Sequence, residues 1–222
     1  MIPDSVLSRT ILALDTPNLG QACDWVQQYR EKVYAFKIGG VLAIGHGLPV
    51  VRTLREAGAE RVFLDLKFHD IPHAVALAVR HAAEFRVWML TLHTSGGSEM
   101  LRIAREAVAD LPNRPLLMGV TVLTSLDTDA LRQIGVARSP RAQAVRLAQL
   151  AHEAGLDGVI ASPQEARLLR RRLPPSCLIV TPGVRPAGFD TDDQKRTATP
   201  EQALEWGADY IVMGRTLLAT KD

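Results

Sequence analysis

The sequence predicts an α/β chain closed into a (β/α)8 barrel, on three observations. Eight short apolar runs rich in β-branched residues recur along 222 residues, stretches of helical period lie between them, and charged residues gather at the C-terminal ends of the runs. Strands covered on both faces read as continuous apolar runs, and eight of them separated by helices close into a parallel barrel more readily than they form an open sheet. At 47% hydrophobic residues the chain can bury a large core, and its length suits a single domain over residues 1–222.

The runs come in order. "TILALD" ends in Asp15, "YAFKIG" carries Lys37 near its end, and "RVFLDLKF" closes on Asp65 and Lys67. "VWMLTLHT", "PLLMGVTVL", "DGVIAS" and "CLIVTPGV" follow, and "YIVMGR" closes on Arg215. Between them, segments such as "HAVALAVRHAAEF" and "RAQAVRLAQLAHEAG" repeat apolar residues near i, i+3, i+4 and i+7, the stripe of a helix lying on a sheet. "TSGGSEM", Thr94 to Met100, reads as a helix cap ahead of a phosphate nest. The run Arg170 to Arg172 reads as a solvated helix end whose cations complement the dipole. The longest polar connection, "RPAGFDTDDQKRTAT" from Arg185 to Thr199, has the length of a functional or disordered loop. Only seven residues follow Arg215, fewer than a barrel's usual three-turn closing helix, so the expectation is that this helix is missing or that something else covers its side.

Composition excludes several classes. Lys and Arg number 26 against 24 Asp and Glu, a net charge of +2 spread without a stripe, so nucleic acid is not expected as a partner. Cys23 and Cys177 form no metal or redox motif and no expected disulfide, which suits a reducing cytoplasm. The start "MIPDSVLSRT" lacks a basic region followed by an apolar run, and eighteen apolar residues never occur in succession, so neither secretion nor membrane insertion is expected.

In barrels of this kind the chemistry sits at the C-terminal strand ends. In "FLDLKFHDIP", Asp65 and Lys67 are two apart on a strand and share a face, so a tetrad of Lys37, Asp65, Lys67 and Asp70 is geometrically reasonable. The same letters also allow a solvated salt bridge with Asp70 as a helix N-cap. His69 and His73, four apart and near two aspartates, have metal-ligand spacing, but no third ligand is placed and Lys67 would repel a cation. Asp15 could cap the turn at "DTPN", Thr124 could be a turn hydroxyl, and Arg185 and Gln194 could be surface residues. Lys37 is harder to explain that way, because an ammonium in an apolar strand needs partners.

Taken together, "ALD" ending in Asp15, "FKIG" with Lys37, "DLKFHDIP", "VTVLTS", "TPGVRP" and "GADYIVMGR" resemble the orotidine 5'-phosphate decarboxylase family, in the family's order and from Thr10 to about Leu217. The resemblance implies a TIM barrel, free-standing rather than fused, that converts orotidine 5'-phosphate to UMP with no cofactor and no metal. It implies that Asp15 and Lys37 hold ribose hydroxyls, that Asp65 faces the substrate carboxylate, and that Lys67 protonates C6. Asp70 would reach into the neighbouring subunit's site in a homodimer. Thr124 would lie near the pyrimidine, and Arg185, Gln194, Gly214 and Arg215 would grip the phosphate, with Gln194 on a closing loop. The family pattern departs at Ala74, where a threonine usually supplies a hydroxyl across the dimer interface.

The chemistry explains the charges. Loss of carbon dioxide from C6 leaves a vinylic carbanion outside the ring π system, and the chain shows no lysine-bound cofactor motif to act as an electron sink. Placed charge must then stabilise the anion. Lys67 supplies a cation and can also give a proton, which arginine does not readily do. Two rivals share the motif: a magnesium-dependent decarboxylase of sugar phosphates such as 3-keto-gulonate 6-phosphate, which carries a glutamate metal ligand where this chain has Lys37, and a silent barrel that only binds a pyrimidine nucleotide.

Overall fold

The computed structural model describes residues 2–186 and 197–219. Eight parallel strands form a closed barrel in sequence order: β1 (Thr10–Ala13), β2 (Ala35–Ile38), β3 (Val62–Phe68), β4 (Met89–His93), β5 (Leu116–Val120), β6 (Gly158–Ile160), β7 (Leu178–Thr181) and β8 (Tyr210–Met213). All eight lie within the expected apolar runs. β8 returns to β1 with Thr10 opposite Ile211, which closes the ring and leaves no sheet edge.

Among the described residues eleven α-helices surround the strands: α1 (Asp4–Leu7), α2 (Leu19–Tyr29), α3 (Gly40–His46), α4 (Val50–Glu56), α5 (Pro72–Glu84), α6 (Ser98–Glu106), α7 (Thr128–Gln133), α8 (Pro140–Glu153), α9 (Pro163–Arg170), α10 (Pro200–Glu205) and α11 (Arg215–Ala219). Local chemistry starts several of them. Asn18, Asp127, Ser139, Ser162 and Thr199 accept backbone N–H bonds as caps, and proline opens α8, α9 and α10 where its missing donor costs nothing. "TSGGSEM" departs from its expectation in part: α6 does start there, at Ser98, but its N-cap is Gly97 at φ 91°, without a capping side chain. α11 is described for five residues only.

Period-two alternation divides each strand. Ile11, Ala13, Ala35, Phe63, Met89, Met118, Val120, Ile160, Val180 and Val212 fill the barrel interior, while their chain neighbours such as Leu12, Phe36, Leu64, Leu90, Leu117 and Ile211 join the layer between strands and helices. At the N-terminal rim Tyr34, Trp88 and Tyr210 pack together, with Tyr34 and Tyr210 ring centroids 4.5 Å apart. The same rim carries a small repeat, Gly155-Leu156-Asp157 before β6 and Gly207-Ala208-Asp209 before β8, whose glycines turn the chain at φ 81° and 102°. Asp157 accepts the Leu117 amide at 2.9 Å and a two-pronged Arg114 guanidinium; Asp209 accepts the Ile179 amide at 2.7 Å and the Arg170 guanidinium. Arg170 therefore departs from the expected solvated helix end. It is partly buried and also donates to the Gly207 and Cys177 carbonyls, because the rim it faces presents these backbone acceptors beside the Asp209 carboxylate.

Candidate active site

The C-terminal mouth holds a cavity of about 250 Å³. Val120, Val122, Ile160 and Val212 give it an apolar floor, and Lys37, Asp65, Lys67 and Thr124 bring polar groups to its wall. Period two explains the arrangement: Lys37 sits two residues above Ala35, and Asp65 two above Phe63, both inward positions.

Asp65 is the hub. Its Oδ2 lies 2.9 Å from Lys67 Nζ and 3.7 Å from Lys37 Nζ, and its Oδ1 accepts from the Thr91 hydroxyl at 2.9 Å. Burial alone would raise its pKa, but the two ammoniums and the bonds from Lys67 and Thr91 outweigh that and hold the carboxyl below its ordinary value. Lys37 also pairs with Asp15 at 3.2 Å, so a chain of four alternating charges, Asp15, Lys37, Asp65 and Lys67, crosses the mouth. Asp15 does not cap the following helix; Asn18 does.

Lys67 reaches this place through an irregular backbone. Between Leu64 and Phe68 β3 advances four residues while β4 advances two, from Leu90 to Leu92, and within this bulge Lys67 adopts φ 51°, rare for a residue with a side chain. The Lys67 amide donates to Thr91 Oγ1 at 2.9 Å instead of to a β4 carbonyl. Thr91 is fully buried. Sequence reasoning passed over it, since a threonine in an apolar β-run reads as strand filler; its one signal was an inward position two residues before His93, level with the charged strand ends.

Asp70 stands apart from this array. It is exposed, accepts only the neighbouring Ile71 amide, at 2.7 Å, and pairs with no lysine of its own chain among the described residues. The helix it precedes, α5, takes Ile71 as its N-cap position, so Asp70 is not that cap. Thr124 is buried at the cavity wall. Arg185 follows β7, donates to the Val184 carbonyl and has a buried Nε with no partner among the described residues. Gly214 follows β8, where an added Cβ would lie 3.3 Å from Ala13 and 3.7 Å from Asp15 Oδ2. Arg215 begins α11 at the same rim, and Gln194 lies outside the described residues. His69 and His93 stack with centroids 5.3 Å apart, and burial, His69 and Lys67 push the His93 pKa down, with Asp65 opposing. Among the described residues no three His, Cys, Asp or Glu side chains gather as a metal site, and no helix is long and apolar enough to cross a membrane.

Fold and site together define a class: an α/β barrel enzyme whose polar machinery is a lysine–aspartate–lysine array at the mouth. The particular kinship is narrower, because the chain belongs to the orotidine 5'-phosphate decarboxylase / HUMPS family, whose model matches residues 8–222. A relative from Nitrosococcus oceani named orotidine 5'-phosphate decarboxylase is 48% identical over 97% of this chain and 92% of its own, and one of the same name from Hydrogenovibrio crunogenus is 44% identical over 96% and 90%. The crystal structure of orotidine 5'-phosphate decarboxylase from Lactobacillus acidophilus matches with a TM-score of 0.83 at 34% identity, covering 96% of this chain and 93% of that one.

Proposed function

We propose that the chain is a carbon–carbon lyase that decarboxylates orotidine 5'-phosphate to UMP and carbon dioxide, the last step of de novo pyrimidine nucleotide synthesis, as a cofactor-independent cytoplasmic homodimer formed from one barrel domain per chain. The observation that carries this reading is the array of Lys37, Asp65 and Lys67 set against an apolar cavity floor. The floor excludes water from the pyrimidine, and the array supplies what carbanion formation demands, a cation beside C6 that can also give a proton.

Roles follow from position. Lys67 stabilises the negative charge left at C6 and then protonates it. Asp65 keeps Lys67 cationic and faces the substrate carboxylate, whose charge disappears as carbon dioxide leaves. Lys37 and Asp15 hold the ribose hydroxyls, and Thr124 meets the pyrimidine. Arg185, Gly214 and Arg215, at the ends of the last two strands, grip the phosphate together with Gln194, and that remote binding energy closes the site. Asp70 serves the partner's site: exposed Ile71 at the α5 N-cap, Leu77 within α5, and Val41 and Ile44 on α3 are large apolar side chains left at the surface, of the kind a second copy would cover. Ala74, in the first turn of α5, supplies no hydroxyl to that interface.

The test follows the ultraviolet absorbance of orotidine 5'-phosphate with purified protein and excess chelator. The expected result is turnover to UMP unaffected by the chelator. Turnover that stops on chelation would mark a metal-dependent relative, UMP binding without turnover a silent barrel, and neither binding nor turnover would overturn the reading.

A further inference from the structure

We propose that Thr91 is a positioning residue of the site: one hydroxyl, by accepting from the Lys67 amide and donating to Asp65, fixes the geometry of the Asp65–Lys67 pair. The inference rests on the decarboxylase reading for its kinetic consequences but not for its structural core.

The bulge in β3 creates the need. Two additional residues between Leu64 and Phe68 break the ladder to β4 and turn Lys67 to φ 51°, leaving its amide without a strand partner inside the barrel wall. A buried N–H without an acceptor is costly, and a left-handed lysine persists only where its surroundings hold it. Thr91 Oγ1 meets that N–H at 2.9 Å and so anchors the bulge. Having accepted this bond, the hydroxyl directs its single proton to Asp65 Oδ1, also at 2.9 Å. Asp65 is thus held at both oxygens, by Thr91 at Oδ1 and by Lys67 at Oδ2, with Lys37 3.7 Å from Oδ2. The Thr91 bond stops the carboxylate from rotating about its χ2, and the same hydroxyl sets the backbone from which the Lys67 ammonium extends. No charged group need be added for this; a neutral, fully buried side chain on the neighbouring strand sets the distance between the two charges.

The variants Thr91→Val and Thr91→Ser test it. Valine keeps the shape and removes both bonds; serine keeps both bonds. Thr91→Val should lower kcat by roughly 10- to 100-fold, the loss of one bond to a charged group, while UMP, which has no C6 carboxylate, binds within about threefold of wild type. Thr91→Ser should restore kcat to within about threefold, a rescue that a role in packing alone would not give to the smaller side chain. A second readout needs no turnover: the carbon-13 signal of the Asp65 carboxyl, titrated with Lys37, Lys67 and His93 intact, should move to higher pH in Thr91→Val and stay in Thr91→Ser. If Thr91→Val does not fold, Thr91→Cys, a poor donor and acceptor of similar size, replaces it. Unchanged kcat and an unchanged Asp65 titration in the folded variant would overturn the proposal, as would kcat and UMP affinity falling by the same factor. A wild-type protein that never turns over orotidine 5'-phosphate, but whose Asp65 titration responds to Thr91→Val, would instead overturn the functional reading alone.

Discussion

On the proposed reading, replacing Lys67 by alanine removes the side chain that carries charge to C6 and gives a proton there. An ammonium about 4 Å from developing negative charge is worth about 4 kcal/mol at an effective dielectric near 20, about a thousandfold in rate. General-acid action adds about 10²- to 10⁴-fold. The Lys67 side chain keeps 35% exposure, so water screens part of the first term, and the expected loss in kcat/KM is about 10⁴- to 10⁶-fold. The fold should survive, because Asp65 retains Lys37 at 3.7 Å and the Thr91 hydroxyl at 2.9 Å. The assay is the decay of orotidine 5'-phosphate absorbance, with circular dichroism as the check on folding. Lys67→Arg separates the two terms, since it keeps charge but donates poorly, and should still lose at least about 10²-fold. A folded Lys67→Ala protein within tenfold of wild type, or a fully active Lys67→Arg protein, would refute the assignment.

Other outcomes follow from the same geometry. Mixing inactive Asp70→Ala with inactive Lys67→Ala should recover activity at about a quarter of sites, since random pairing makes half the dimers mixed and each holds one intact site; no recovery after mixing would mean that Asp70 serves only its own chain. Asp65 has a folded pKa below its unfolded one, so it contributes stability that is present above the ordinary aspartate range and lost as pH falls through the folded value. Asp65→Asn should therefore flatten the acid end of the urea-unfolding profile, and a profile that keeps its wild-type slope there would count against the depressed value. Gly158→Ala would place a Cβ 2.4 Å from the Leu178 carbonyl oxygen and 2.5 Å from Met118 Cε, and should cost about 1–3 kcal/mol or more in chemical denaturation; wild-type stability would mean the barrel wall there yields freely.

The barrel was legible because its strands are buried on both faces, so each wrote a continuous apolar run, from "TILALD" to "YIVMGR". The charged strand ends were legible for the same reason: Lys37 and Asp65 interrupt those runs at inward positions and demand partners, and the structure brings the two together. What stayed hidden depends on contacts between distant parts of the chain. Arg170 reads as a solvated cation until the rim that it caps, 37 residues away at Gly207, is folded beside it. The bulge at Lys67 is invisible because the two additional residues appear only when β3 is counted against β4. Thr91 was missed with it, since its value lies in an amide that only the bulge leaves unpaired.

The ladders around the ring are unequal. β4 and β5 meet through five residue pairs, whereas β7 and β8 meet through two, Val180 with Tyr210 and Thr181 with Ile211, with the Asp209 carboxylate pinning their feet. A ring without ends yields first at its thinnest seam, and here that seam runs up toward Arg185, Gly214 and Arg215 at the ends of the last two strands. Amide hydrogen exchange should therefore run faster where β7 meets β8 than where β4 meets β5, on opposite sides of one small ring.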